Sequence, residues 1–169
     1  MVTEVRTKRI DADTHFNLTV DYTLLKDMLS REHSAQLRDV MWHDAERVVD
    51  AEGVRAALTG GSVADHTGDP EWDLDARVVE MDRLGFDMQV LIPDGVFANA
   101  FGSPASRDWD PGLRMALSMS YNNAVSSAQA EYPDQLISCG VVPWGTESVA
   151  DCTAEADRAV NKLGLKSLM

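Results

Sequence analysis

An aspartate and a histidine stand two positions apart near the start of the chain. Asp13 and His15 fall within Ile10–Phe16, where apolar and polar residues alternate as in a short β-strand. Residues i and i+2 of a strand point to the same face, so the two side chains are expected side by side. Carboxylate oxygen and imidazole nitrogen are ligands of zinc and manganese. The spacing predicts a divalent-metal site. The open alternative is a turn carboxylate beside a hydrogen-bonded histidine.

Strand-like and helix-like segments alternate along the rest of the chain. Continuous apolar runs are typical of strands buried on both faces, and they occur at 86–93, 136–143 and 165–169. Helical spacing of apolar residues predicts one helix before each of these strands. Alternating strands and helices predict an α/β fold with a parallel sheet.

The ends and buried faces of these three helices can be predicted from single residues. Asp69, Asp110 and Thr146 are the expected N-caps, and Gly85 and Gly164 the expected C-terminal stops. The apolar stripes expected to face the core are Leu74, Val78, Met81 and Leu84; Leu113, Leu117, Tyr121, Ala124 and Ala128; and Val149, Cys152, Ala156, Val160 and Leu163.

A helical insertion is predicted over residues 20–70, after the first strand. A connection of this length at the carboxyl end of a strand is typical of an active-site lid. The insertion contains His33 and His43, which are expected to be solvated surface residues among charged neighbours. It also contains His66, in an Asp-His-Thr loop, which is a candidate substrate contact.

Composition excludes several function classes. The chain has 15 Lys+Arg against 28 Asp+Glu, a net charge of −13, so binding to nucleic acid or to an anionic membrane surface is not expected. The N-terminus lacks the apolar core of a signal peptide, and no apolar run reaches the ~20 residues of a membrane span. Cys139 and Cys152 form neither a zinc ribbon nor a disulfide framework, which favours the cytoplasm.

Four segments together resemble a known family. Ile10–Phe16 resembles the first-strand metal motif of the amidohydrolase superfamily, and more closely that of the amidohydrolase-related family, which contains aminocarboxymuconate-semialdehyde decarboxylase and aromatic-acid decarboxylases. Segments 75–93, 121–143 and 159–168 resemble later stretches of the same family in order and spacing. The resemblance implies a (β/α)₈ barrel, a divalent metal, with zinc the first expectation and manganese the second, and a small-molecule substrate.

Three departures from the family pattern qualify this resemblance. The superfamily's usual His-x-His is Asp13-Thr14-His15 here, and Ser167 replaces a glycine after Gly-Leu-Lys. The family also has further ligands after strands five and eight and a catalytic histidine between them, whereas 169 residues reach only strand four, since a whole barrel needs about 250 residues. Residues 1–169 are therefore expected to be one N-terminal portion of a barrel, whose catalytic residues stay unassigned.

The function expected from the resemblance is metal-assisted decarboxylation or hydrolysis of a small carboxylate-bearing or cyclic substrate. Phe16, His66, Asp94 and Trp144 are candidate substrate contacts, the last two because they follow strands two and three at the barrel rim. One alternative is a non-catalytic half-barrel, with two ligands too few to hold a metal tightly. Its exposed strands would pair in a homo-oligomer or with a missing C-terminal half. Another is a small α/β binding domain in which Asp13 and His15 are incidental.

Overall fold

The computed structural model describes residues 7–16, 31–33, 35–36, 68–70, 73–93, 108–143 and 148–169. The elements are β1 (Ile10–Phe16), α1 (Leu74–Leu84), β2 (Met88–Pro93), α2 (Pro111–Glu131), β3 (Leu136–Gly140), α3 (Val149–Asp157) and β4 (Ser167–Leu168). A π-helical turn at Arg158–Lys162 continues α3. This order confirms the predicted alternation of strands and helices.

Only a small part of the predicted 20–70 insertion is described. Residues 31–33 and 35–36 are helical, and 68–70 form a turn before α1. His43 and His66 lie outside the described residues, so the insertion as a whole stays a prediction. None of the helices that are described is long and apolar enough to cross a bilayer.

The four strands form one parallel sheet in the order β1-β2-β3-β4. Each strand therefore lies beside the strand that precedes it in sequence. The order does not reverse, as it does at the switch point of a doubly wound sheet. Sequential parallel strands with a helix after each are the repeating unit of a (β/α)₈ barrel.

Helices cover one face of this sheet. In β2 the residues Gln89, Leu91 and Pro93 are buried, whereas the alternate residues of the strand are only half-buried. Ser138 of β3 pairs with Leu91 and donates its hydroxyl to the carbonyl of Val125 in α2 at 2.8 Å. The buried residues thus point to the helices, and this side is called the helix face. Within the described part of the chain, the prediction that β2 is buried on both faces was wrong, because the residues of the second face are only half-buried.

The long helix α2 agrees closely with its sequence pattern. Asp110 accepts a hydrogen bond from the main-chain N–H of Leu113 at 3.1 Å, and Pro111 occupies the first turn. All five residues of the predicted apolar stripe are buried. The predicted stops are also confirmed, because Gly85 and Gly164 adopt φ of +76° and +73°.

Two of the predicted N-caps were wrong. α1 is capped by Asp73 rather than Asp69, and α3 by Ser148 rather than Thr146. The Asp73 carboxylate accepts two main-chain N–H groups of the first turn at 2.9 and 3.2 Å, and the Ser148 hydroxyl accepts one at 3.0 Å. Both residues have the extended backbone that a cap requires, directly before the first helical residue.

The predicted apolar stripes of α1 and α3 were wrong at three positions. Leu84 is 48% exposed, Val149 82% and Val160 44%, while the charged residues Arg77 and Glu155 are buried. Burial of a charge is tolerated only when partners satisfy it. Glu155 has such partners, since Arg158, three residues on, donates to both of its carboxylate oxygens at 2.7 and 2.8 Å and Asn122 of α2 donates to one of them. Hydrogen-bond partners, local as well as tertiary, thus select the buried face of each helix.

The strand predicted over 136–143 is regular over Leu136–Gly140, and Val142 beyond it still donates its main-chain N–H to the Met169 carbonyl at 3.1 Å. Between them, a side chain satisfies the main chain of Val141. The Asn122 amide of α2 accepts from the Val141 main-chain N–H at 2.7 Å and donates to its carbonyl at 2.8 Å. The same amide nitrogen donates to Glu155 at 2.7 Å. Asn122 therefore joins α2, α3 and the carboxyl end of β3.

Candidate metal centre

Asp13 and His15 lie near the carboxyl end of β1 and are both exposed, whereas Thr14 between them is 7% exposed. His15 is paired with Ile92, a half-buried residue of the face opposite the helices. By strand alternation Asp13 and His15 share that face. The carboxyl ends of parallel barrel strands form the side on which barrel enzymes place their active sites. The two side chains therefore lie where the sequence predicts a metal site.

A β-bulge separates these two residues from the earlier aspartate of the strand. Asp11 pairs with Gln89 and Thr14 with Leu91, so three steps along β1 match two steps along β2. The bulge turns Asp11 to the helix face, where its carboxylate accepts from Gln89 Nε2 at 3.3 Å. Bulges commonly re-aim side chains next to active sites. Here the bulge leaves Asp13, and not Asp11, on the face of His15.

The ring of His15 is held by the neighbouring strand. Its Nδ1 lies 3.3 Å from the carbonyl oxygen of Pro93, the last residue of β2. A carbonyl only accepts hydrogen bonds, so Nδ1 carries the proton and the lone pair of the neutral imidazole is on Nε2. Metal-ligating histidines commonly have this arrangement, in which one ring nitrogen donates to a carbonyl and the other binds the metal.

The main chain of His15 is held from the helix face. Arg77 of α1 donates through Nη2 to the His15 carbonyl at 2.9 Å and through Nη1 to Gln89 Oε1 at 3.2 Å. Sequence reasoning missed this residue, although a signal existed. Arg77 precedes the buried Met81 by four residues and so lies on the same helix face.

The Asp13 carboxylate and the His15 imidazole are chemically suitable ligands for a divalent cation, but two ligands do not complete a site. One carboxylate and one imidazole nitrogen suit manganese or zinc. Among the described residues, no three His, Cys, Asp or Glu side chains lie close enough to hold a metal ion. A cation at Asp13 and His15 would need water or further protein ligands. The metal role of both residues stays a prediction.

The structure describes little of the four predicted substrate contacts. Phe16 is the last residue of β1 and its main chain pairs with Pro93, but its side chain is not described. His66, Asp94 and Trp144 lie outside the described residues. All four assignments stay predictions.

His33 is not the solvated surface residue that the sequence predicts. Its side chain is 26% exposed, and its Nε2 lies 3.9 Å from a carboxylate oxygen of Asp110, the N-cap of α2. Its Nε2 also lies against Gly112, only 2.8 Å from where a β-carbon would stand. The imidazole therefore packs on the first turn of α2.

Perturbed pKa values occur around α1. The N–H of Gly68, followed by that of Ala76, lowers the pKa of Asp73. A hydrogen bond to Asp75 raises the pKa of Tyr132 to about 12. An acidic groove runs beside these groups, lined by Asp73, Asp75 and Glu80 among others. α1 packs on the helix face, so these groups are not part of the β1 site.

Three solved structures show what this architecture resembles. The 2,6-dihydroxybenzoate decarboxylase from Rhizobium matches 96% of this chain and 38% of its own, with a TM-score of 0.53 and 16% identity. The 5-carboxyvanillate decarboxylase from Novosphingobium aromaticivorans, solved with manganese and 3-methoxy-4-hydroxy-5-nitrobenzoic acid, matches 98% and 42%, with a TM-score of 0.57 and 19% identity. The 5-carboxyvanillate decarboxylase from Sphingomonas paucimobilis matches 96% and 42%, with a TM-score of 0.54 and 20% identity.

The fold is a partial (β/α)₈ barrel. This confirms the fold class predicted from the sequence, about the first four strands of a barrel. The chain spans about 40% of the length of these neighbours. No family model and no curated protein matches the chain.

Proposed function

We propose that this chain supplies the first-strand metal ligands of a metal-dependent decarboxylase that acts on a small, carboxylate-bearing ring. Asp13 and His15 are the proposed ligands. The reaction would break the bond between ring and carboxylate, release carbon dioxide and place a proton on the ring carbon. The proposal concerns the complete catalytic unit, of which the chain spans less than half by comparison with its structural neighbours.

The observation that carries the proposal is the hydrogen bond between His15 Nδ1 and the Pro93 carbonyl. It leaves Nε2 as the basic nitrogen on the exposed face of β1, at the barrel end where enzymes bind their substrates. Asp13 adds a carboxylate on the same face.

The structural neighbours favour manganese and decarboxylation within this proposal. Two 5-carboxyvanillate decarboxylase structures hold manganese, which supports manganese over the zinc expected from the sequence. A divalent cation in such a site acts as a Lewis acid toward a substrate oxygen. The neighbours are decarboxylases, which supports loss of carbon dioxide over hydrolysis. They also agree with the family resemblance of Ile10–Phe16.

Manganese titration of the 169-residue chain tests the proposal. Isothermal titration should give one Mn²⁺ site per chain, and Asp13→Ala and His15→Ala should each weaken binding at least about tenfold, or about 1.4 kcal/mol. Asp134→Ala is the matched control, because this exposed carboxylate precedes β3 at the opposite end of the sheet. Equal Mn²⁺ affinity in Asp13→Ala and Asp134→Ala, or no binding by the unmodified chain, would contradict the proposal.

A second candidate function rests on the edges of the sheet. Among the described strands, β1 pairs only with β2 and β4 only with β3. Unpaired strand edges are templates for association, so a non-catalytic half-barrel that self-associates or binds a partner is the alternative. Sedimentation analysis separates the two: a metal-free dimer or larger particle favours this alternative, and a metal-binding monomer opposes it.

A further inference from the structure

A buried hydrogen-bond network lies beneath the β1 bulge on the helix face. Arg77 and Gln89 are 7% and 6% exposed. Arg77 reaches the His15 carbonyl directly, and Gln89 links it to the Asp11 carboxylate. The network therefore contacts β1 on both sides of the bulge: at the side chain of Asp11 before it and at the main chain of His15 after it.

The planar guanidinium suits this position. Its two terminal nitrogens have a fixed separation, so one arm on His15 and one on Gln89 hold two points of the sheet at a set distance. A strand that slips by one residue sends every side chain to the other face. Loss of the bulge would thus bring Asp11 from the helix face to the face of Asp13 and His15.

We propose that Arg77, acting on the His15 carbonyl directly and on Asp11 through Gln89, is a positioning residue that fixes the bulge and the orientation of the His15 ring. The metal-binding part of this inference rests on the proposed function. Its effect on the His15 ring does not, because the hydrogen bond to Pro93 exists without a metal and can be measured alone.

The test compares Arg77→Met and Arg77→Lys with Arg83→Met. Methionine has a side chain of similar length without the charge or the hydrogen-bond donors. Lysine keeps the charge but cannot donate to two acceptors from one planar group. Arg83 is the matched control, since it lies on the same helix with a 67% exposed side chain that pairs with Glu80. The readouts are Mn²⁺ affinity and the tautomer of the metal-free His15 ring. Long-range proton–nitrogen NMR correlations, assigned with His15→Gln, report the tautomer.

The unmodified chain and Arg83→Met should show a proton on His15 Nδ1 and equal Mn²⁺ affinity. Arg77→Met should weaken Mn²⁺ binding by about 10–100-fold, the range typical of residues that orient a metal ligand, and should mix the two tautomers. For Arg77→Lys, both the Mn²⁺ affinity and the tautomer ratio should lie between those of the unmodified chain and Arg77→Met. This graded result would distinguish positioning of the ring from a general loss of packing.

The outcomes separate the two proposals. If Asp13→Ala binds Mn²⁺ as well as the unmodified chain, the proposed function fails, and the NMR comparison still decides the role of Arg77. If Arg77→Met keeps the tautomer and the affinity of the unmodified chain, the positioning role is rejected. If both Arg77 variants lose cooperative unfolding, Arg77 is a structural residue and the positioning role is likewise rejected.

Discussion

Replacement of Asn122 by alanine should be among the most destabilising single changes in the described part of the chain. Asn122 is fully buried and makes three hydrogen bonds of 2.7–2.8 Å, two to Val141 and one to Glu155. Alanine would leave the N–H and carbonyl of the buried Val141 without partners. Each unsatisfied buried group costs about 1–3 kcal/mol, so we expect a loss of about 3–5 kcal/mol. Domains are stable by only about 5–15 kcal/mol, so this loss is large.

Urea denaturation followed by circular dichroism measures this loss as a lower midpoint at unchanged slope. Asn161→Ala is the control, because Asn161 is exposed and its amide donates to a surface carboxylate, Asp157, at 2.8 Å; it should change stability by less than about 0.5 kcal/mol. Asn122→Asp should also destabilise at neutral pH, since a second carboxylate would face Glu155. A change below about 1 kcal/mol in Asn122→Ala would show that water or relaxation satisfies Val141, and would refute the reasoning.

Two further predictions concern the groups around α1. Asp73→Ala removes the helix cap and should lower the urea denaturation midpoint at neutral pH. Because the folded pKa of Asp73 lies below its ordinary value of 3.8, its contribution is present above that pH and is lost as pH falls through the folded pKa. The denaturation midpoints of the two proteins should therefore converge in acid, and a constant difference would contradict this. In ultraviolet absorbance titration, one of the three tyrosines should ionise near pH 12, and Tyr132→Phe should remove that step. Its pKa is raised from 10.0, so this contribution to stability is complete below about pH 10 and is lost as pH rises through about 12.

The sequence by itself determined the features that depend on neighbours along the chain. Strand alternation placed Asp13 and His15 on one face, because the side-chain period of a strand is local geometry. The apolar stripe of α2 and its cap at Asp110 were correct for the same reason. The alternation of strands and helices determined the parallel sheet, which the structure and its neighbours confirm as part of a barrel.

Only the tertiary structure decided which polar groups are buried and how β1 is held. Arg77 faces inward toward His15 and Gln89, and Glu155 toward Asn122, and no local pattern encodes these partners from other elements, although Arg158, three residues on, also pairs with Glu155. The β1 bulge likewise exists only relative to β2, so the spacing of Asp11 and Asp13 could not predict that they face opposite sides. The repeat of a helix or strand sets the direction of each side chain within that element. Hydrogen bonds to other elements decide which polar side chains are buried, because a buried polar group is stable only where it has a hydrogen-bond partner.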